Sequence, residues 1–330
     1  MVLIKTGIQL KELHTFHLDA TCKQYCCVSS EDELISVLNA DNIFVLGNGS
    51  NTVFCHDFDG LIIHMKIDDI RIVSETNSQI MIRVGAGTSW DYFVNWCLEH
   101  GYYGLENLIM IPGTIGGAVV QNIGAYGMEV ANAVENVHAI NKTTLKKYVL
   151  TNDCCHFTYR GSVFKKSDLV VTYVTFHLSK AECPCLDYAS VQQALQEMPS
   201  DKVTTLDVVN VIKDMRKRKL PDTSVIGNAG SFFKNIIIDI NTYNNLLTKY
   251  PDIKSWFIDN NHVKVSTAWL MSKCDLGGLS RYGIKLCDSS PLILTNYKAT
   301  GQDLLRAIKY ICDTARSKFG LMLEPEVIVV

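Results

Sequence analysis

Three stretches of the chain hold residues whose types and spacing could do chemistry. One is Gly47, Asn48, Gly49, Ser50 and Asn51; another is 104–127, with six glycines, one proline and almost no charge in 24 residues; the third is 227–235. Glycine tolerates positive φ and lets a ligand approach the main chain with no Cβ in the way. Pro112 with Gly113, and Gly116 with Gly117, read as turns that present backbone N–H groups, a way to hold phosphate without side-chain charge. A side chain at Gly49 or Gly116 is then expected to fill space a pyrophosphate needs. Ile109, Ile111, Ile115, Val119, Val120 and Ile123 can bury the middle stretch, and Gln121, Asn122 and Tyr126 are polar groups within it that need partners. The same composition also describes a buried loop whose glycines only solve backbone geometry.

The single charged candidates are weaker. Arg160, in the polar run Tyr159 to Ser162, reads as a solvated surface cation. Glu326, among β-branched residues near the end, sits either on the polar face of an edge strand or in a site. Lys213, Arg216, Lys217, Arg218 and Lys219 crowd one helix end, where cations suit the helix dipole, and read as a solvated face. Ser231, beside Gly230, reads as a loop serine satisfying a backbone group. Cys154, Cys155 and His156 lack a second ligand cluster at zinc spacing, so no metal site is expected. Gly47 and Gly49 follow a strand, as in a dinucleotide fingerprint, but Thr52 stands where the third glycine would open a helix.

The elements that must position these residues follow from periodicity. Ser30 and Glu33 form a capping box ahead of a short helix burying Leu34, Val37 and Leu38. Ile43–Leu46 reads as a buried strand, with further strands at 61–65, 80–84, 133–140 and 169–178. Thr88 or Ser89 caps a helix through Tyr92, Phe93, Trp96 and Cys97 that stops at Gly101. A helix over 204–219 is expected to bury Leu206, Val209, Ile212 and Met215, and Leu220, Pro221 and Asp222 then break it. Thr300 caps a last helix ending at Gly320, and 323–330 reads as a closing strand.

Composition bounds the class. With 330 residues, 47% hydrophobic and 20% charged, the chain has ample core for two or three domains of about 150 residues or fewer. A net charge of -3 gives no reason to expect nucleic acid or an anionic membrane surface. No apolar run approaches the roughly 18 residues that span a bilayer, and no signal peptide is evident. The twelve cysteines are scattered and read as reduced thiols of a cytoplasmic protein.

Six segments, taken in order, resemble the signature segments of the UDP-N-acetylenolpyruvoylglucosamine reductase family, flavoenzymes that make UDP-N-acetylmuramate for bacterial peptidoglycan. They are 47–51, 111–116, 121–127, Tyr159 with Arg160, 230–235 and 323–327, and the likeness runs from about Thr15 to Glu326. It implies an α+β protein: an FAD-binding half of the p-cresol-methylhydroxylase type in two subdomains, 1–66 and 67–219, and a smaller α+β substrate domain, 220–330, whose last strand returns toward the catalytic site. It further implies non-covalent FAD held by Gly47, Asn48, Gly49, Ser50, Asn51, Pro112, Gly113, Thr114, Gly116, Gly117, Gln121, Asn122, Gly124, Ala125 and Tyr126. NADPH is the implied co-substrate and UDP-N-acetylglucosamine-enolpyruvate the substrate of a monomer that binds neither nucleic acid nor membrane. Arg160 and Glu326 would steady the enolate, Ser231 would protonate carbon 2, and Tyr188, Lys219 and Asn235 would hold the nucleotide sugar.

Trp256 joins them by spacing. The flanks Tyr250, Pro251, Val263 and Lys264 place it where one subtype carries a loop tyrosine over the diphosphate, in an extra substrate-covering loop at 241–262; the alternative is a core tryptophan. Three departures stand out: Gly161 where the family has aspartate, Ile236 where it has proline, and no glutamine near Ser289 and Ser290. Two other readings remain: another flavin oxidoreductase on the same scaffold, or a catalytically inactive nucleotide-sugar binder. No His or Cys lies in the two flavin loops to anchor a flavin covalently.

Overall fold

The computed structural model describes residues 2–199 and 202–330. The chain forms two compact units, neither continuous in sequence. The first gathers 1–8, 22–48 and 59–218, the second 9–21, 49–58 and 219–330. Two short N-terminal segments thus group with the C-terminal part of the chain.

The first unit is built on two sheets. A five-stranded antiparallel sheet runs Lys147–Thr151, Val134–Asn141, Leu169–Ser179, Gln79–Gly85, Ile70–Glu75. Its central strand, rich in β-branched residues, sends Val174, Phe176 and Leu178 into the core. The other sheet has the order Lys5–Gln9, Thr21–Val28, Phe58–Met65, Ile43–Leu46. Ile43–Leu46 was expected to be buried, but it is a half-buried edge strand, pairing only on one side, in parallel with Phe58–Met65. The helix Trp90–Glu99 is capped by Ser89, whose hydroxyl accepts the Tyr92 N–H, and ends before Gly101 at φ 71°. The helix Thr205–Lys219 forms with Val209 and Ile212 buried and Met215 packed against the core as expected, and only Leu206 departs from the expected stripe. Thr205, Val208, Val209 and Ile212 are buried, while Leu206 is 65% exposed, because 205, 208, 209 and 212 share one face at helical spacing.

The stretch 104–127 is also corrected. Its middle is a helix, Ile115–Gln121, so Gly116 and Gly117 lie in a first helical turn and only Pro112 and Gly113 form a turn outside it. Thr114 supplies the cap, its Oγ1 accepting the Gly117 N–H at 3.4 Å. Asn122 ends the helix in the left-handed region, and a short hairpin, Gly124–Ala125 with Met128–Glu129, follows.

In the second unit the long helix Gly301–Phe319 opens with a reciprocal Thr300–Asp303 capping box and closes at left-handed Gly320. Its buried residues share one core with Phe16, Leu18, Val53 and Cys55 from the two N-terminal segments and with Phe232 and Leu270. The unit also holds two three-stranded sheets: Gly227–Ser231, Ser290–Asn296, Ile284–Cys287, and Ile236–Asp239, His262–Val265, Ser255–Phe257. Three expectations change here. The polar stretch 227–235 is half strand, its edge made by backbone pairing with Ser290–Asn296. The segment 241–262 is a helix, Ile240–Lys249, followed by the strand Ser255–Phe257, not an open loop. The closing strand is only Ile328–Val329, paired in parallel with Thr52–Val53. Ahead of it the chain pairs elsewhere, Pro325 bridging Phe233 and the Glu326 N–H donating to the Phe232 carbonyl.

Candidate functional site

In the first unit the two glycine-rich loops meet. A Cβ on Gly47 would lie 2.6 Å from Thr114 Oγ1, so glycine is what lets the loops touch. Asn48 Nδ2 donates to the Gly113 carbonyl at 3.3 Å. Gly113 itself has φ 125°, closed to side-chain-bearing residues. Gly116 packs on Ala86, whose Cβ would be 3.0 Å from an added one, and its N–H donates to the Ala86 carbonyl. The space beside Gly116 is therefore filled by protein, contrary to the sequence expectation. Gly117 is different: it is exposed, and an added Cβ would meet only Thr114 Oγ1, at 3.6 Å.

The polar residues of this stretch divide sharply. Asn122 is wholly buried and consumed by the fold: Nδ2 donates to Glu129 Oε2 (2.8 Å) and the Thr158 carbonyl (3.0 Å), and Oδ1 accepts the Ala131 N–H. Gln121 is 6% exposed, yet both its amide oxygen and nitrogen lack a hydrogen-bond partner among the described residues. A buried amide with both ends unpaired is costly, which makes Gln121 a candidate to meet a polar ligand or water. The Thr88 hydroxyl, also buried and unpaired, lies on the loop whose carbonyls accept the N–H groups of Ile115 and Gly116.

Tyr126 and Tyr188 meet edge to face, ring centroids 5.5 Å apart. Burial raises the Tyr126 phenol, opposed chiefly by the charge of Arg216. Arg216 is the residue that sequence reasoning missed. Expected on a solvated helix end, it turns inward: Nη2 donates to the Met110 carbonyl at 3.1 Å, Nε is buried and unpaired, and burial lowers its pKa. The stripe Val208, Val209, Ile212 predicts the inward direction of position 216, one turn on, and was the available signal.

Arg160 is not a free surface cation. It tops a tight turn in which Thr158 and Gly161 exchange both backbone hydrogen bonds at 3.0 Å, and its φ of 56° is left-handed. Nη2 donates to the Gly124 carbonyl at 2.7 Å, and the guanidinium stacks on Tyr159 at 5.0 Å. Gly161 fits this turn because a Cβ there would be 2.8 Å from Thr158 Oγ1. With glycine at 161, the Gly124 carbonyl is an acceptor that holds the guanidinium.

The other candidates belong to the second unit. Gly49 has φ 63°, and a Cβ there would strike the Leu13 carbonyl at 2.1 Å and His14 Cα at 2.6 Å. Its glycine is demanded by the fold itself, not by open space for a ligand. Asn51 Nδ2 donates to the Glu326 carbonyl at 3.3 Å, while the Glu326 N–H donates to the Phe232 carbonyl at 2.8 Å. Glu326 is thereby clamped beside the end of the strand Gly227–Ser231, so this unit brings Asn51, Glu326 and the neighbourhood of Ser231 together. Asn235 Oδ1 accepts the Thr267 N–H at 3.1 Å. Ser289, where a glutamine was expected, donates to the Lys219 carbonyl at 2.7 Å. Trp256 is 48% exposed, with the Lys264 ammonium 5.9 Å from its ring centre, which removes the core alternative.

Comparison with known proteins defines the class first. An FAD-binding-domain model matches residues 22–144, and the model of the UDP-N-acetylenolpyruvoylglucosamine reductase C-terminal domain matches 221–330. The chain is thus an α+β flavoprotein with a cofactor-binding part ahead of a family-specific C-terminal part. A UDP-N-acetylenolpyruvoylglucosamine reductase of Bacteroides fragilis is 37% identical over 323 residues, covering 95% of this chain and 96% of that one. That of Amoebophilus asiaticus is 36% identical over 338 residues, covering 99% of each. The chain belongs to the UDP-N-acetylenolpyruvoylglucosamine reductase family. The crystal structure of this reductase from Thermus caldophilus shares its fold, with a TM-score of 0.69 at 21% identity over 100% of this chain and 99% of the other.

Proposed function

We infer that this chain reduces the enolpyruvyl group of UDP-N-acetylglucosamine-enolpyruvate to give UDP-N-acetylmuramate, with FAD as cofactor and NADPH as reductant. What carries the reading is relatedness along nearly the whole chain, cofactor and C-terminal parts together. The residues fit the cofactor: the buried Gln121 amide awaits polar partners, and exposed Gly117 leaves room beside a backbone turn. When bound, FAD supplies the hydride transfer that connects NADPH oxidation to reduction of the substrate double bond. No residue of 47–51 or 112–127 is His or Cys, so the cofactor is held without a covalent link.

The chain's own residues position, stabilise charge and deliver one proton. Arg160, held by the Gly124 carbonyl, and Glu326 steady the charge that develops on the substrate carboxylate and enolate. Ser231 gives the proton to carbon 2. Tyr188, Lys219, Asn235 and Trp256 receive the nucleotide sugar: the exposed indole offers a flat face and one donor, and Lys264 beside it a positive charge. The enzyme acts in the bacterial cytoplasm, as a monomer, on a small molecule. Among the described residues no helix is long and apolar enough to cross a membrane.

One assay tests the whole reading. Purified protein should be yellow, release its flavin on acid precipitation, and oxidise NADPH rapidly only when the enolpyruvyl substrate is present. Flavin-bearing protein whose NADPH oxidation ignores that substrate would point to another oxidoreductase on this scaffold. Substrate binding without any NADPH oxidation would mark an inactive binder.

A further inference from the structure

Met110 is a non-glycine residue in the left-handed region, with φ 59°, two positions ahead of the Pro112–Gly113 turn. A backbone of this kind persists only where its surroundings over-determine it. Both of its backbone polar groups are held by charged side chains. The N–H donates to Asp91 Oδ1 at 2.6 Å, and the carbonyl accepts Arg216 Nη2 at 3.1 Å. Asp91 and Arg216 attract each other as well.

The same guanidinium lies close enough to the Tyr126 phenol, sixteen residues further along the chain, for each to act on the other's charge. Tyr126 is also left-handed, with φ 48°, and its carbonyl accepts Asn107 Nδ2 at 2.8 Å. One side chain therefore bonds one end of a segment and sets its charge beside the other. Between those ends lie the Pro112–Gly113 turn, exposed Gly117 and Gln121 with its unpaired amide. The planar fork of arginine can reach two acceptors in fixed directions at once, which a lysine ammonium on a flexible stem does not reproduce.

We infer that Arg216 is a positioning residue of the flavin site: by bonding the Met110 carbonyl, with its charge beside the Tyr126 hydroxyl, it fixes the width of the segment that receives FAD. The inference rests on the reading that 112–127 hold the cofactor. It assigns the loss of this tie to cofactor retention, not to chemistry on the substrate.

The test uses holoenzyme, with release of flavin followed by its fluorescence. Arg216→Lys should speed FAD release by about 10- to 100-fold, the worth of a hydrogen bond to a charged group, and Arg216→Met should speed it at least as much. Tyr126→Phe should give a smaller effect that adds nothing on top of Arg216→Lys, because the two groups share one interaction. Turnover should fall with the flavin lost and recover on adding FAD, while KM for the enolpyruvyl substrate holds. The apoprotein melting temperature of Arg216→Lys should stay within about 4 °C of the parent. FAD release at the parental rate in both Arg216 variants overturns the inference. So does faster release that appears only together with a large drop in apoprotein melting temperature, which would make Arg216 a fold residue alone. Parent protein that neither carries nor takes up flavin would sink the proposed function itself, an outcome separate from these.

Discussion

Ser231 stands at the end of a paired strand, and only its hydroxyl is asked to act. Ser231→Ala should therefore leave bleaching of the flavin by NADPH near the parental rate, while reoxidation by the enolpyruvyl substrate falls by at least about a hundredfold, the usual worth of general-acid catalysis. Stopped-flow traces with a fast second half-reaction in this variant would move suspicion to Glu326. The glycines separate ligand space from fold space. Gly117→Leu, with nothing but Thr114 Oγ1 near its new Cβ, should keep the fold and lose flavin; Gly49→Ala, driven against the Leu13 carbonyl at φ 63°, should lose stability by roughly 1–3 kcal/mol or more. Thermal melts of the apoproteins beside flavin content of the holoproteins would distinguish the two. At this scale the sequence showed which side-chain types could act, but not how each was used. Asn122 and Gln121 are neighbours of like chemistry, yet one is saturated by the fold and the other left open, a difference set by contacts 7 to 36 positions away. Arg216 was hidden because a basic run at a helix end is normally solvated.

Elements with a one-sided apolar pattern were the most legible. Gly301–Phe319, with its Thr300–Asp303 box and Gly320 stop, could be placed to within a residue. Helix Ile115–Gln121 escaped because two of its first three residues are glycine, the poorest helix former after proline. Its signal was Thr114, a cap residue, ahead of the apolar Ile115, Ala118 and Val119. The strands Ile70–Glu75 and Lys147–Thr151 escaped for another reason: as sheet edges they are mostly exposed and show no alternation to read. Helix Thr205–Lys219 offers a direct check on its one corrected position, Leu206. Leu206→Gln should change stability by no more than about 0.5 kcal/mol. Ile212→Ala should cost about 2–5 kcal/mol. Denaturant midpoints showing Leu206 as sensitive as Ile212 would return Leu206 to the buried face.

Over the whole molecule, acid is the expected weakness. His14, 1% exposed, and His64, 8% exposed, are each lowered to a pKa of about 4, burial being the leading cause. Folded protein keeps both imidazoles neutral where the unfolded chain, with an ordinary pKa near 6.5, protonates them. The unfolded state thus binds more protons between about pH 6.5 and 4, so stability is full above that window and falls as pH drops through it. The slope is up to about 1.4 kcal/mol per pH unit for each histidine. Melting curves at pH 7.5 and 5 should show the loss, and His64→Gln should reduce its steepness; a pH-independent midpoint would mean that both imidazoles can charge in place. The parallel ladder joining Thr52 to Ile328 bears on biogenesis as well. These partners are 276 positions apart, and a ribosome adding about 5–20 residues per second takes roughly 15–55 s to cover that interval. Through that time Val53, buried at the end of folding, has no ladder to join. The second unit is therefore closed by nearly the last residues of this sequence, and the newborn chain must keep an apolar strand from straying until its distant mate is made.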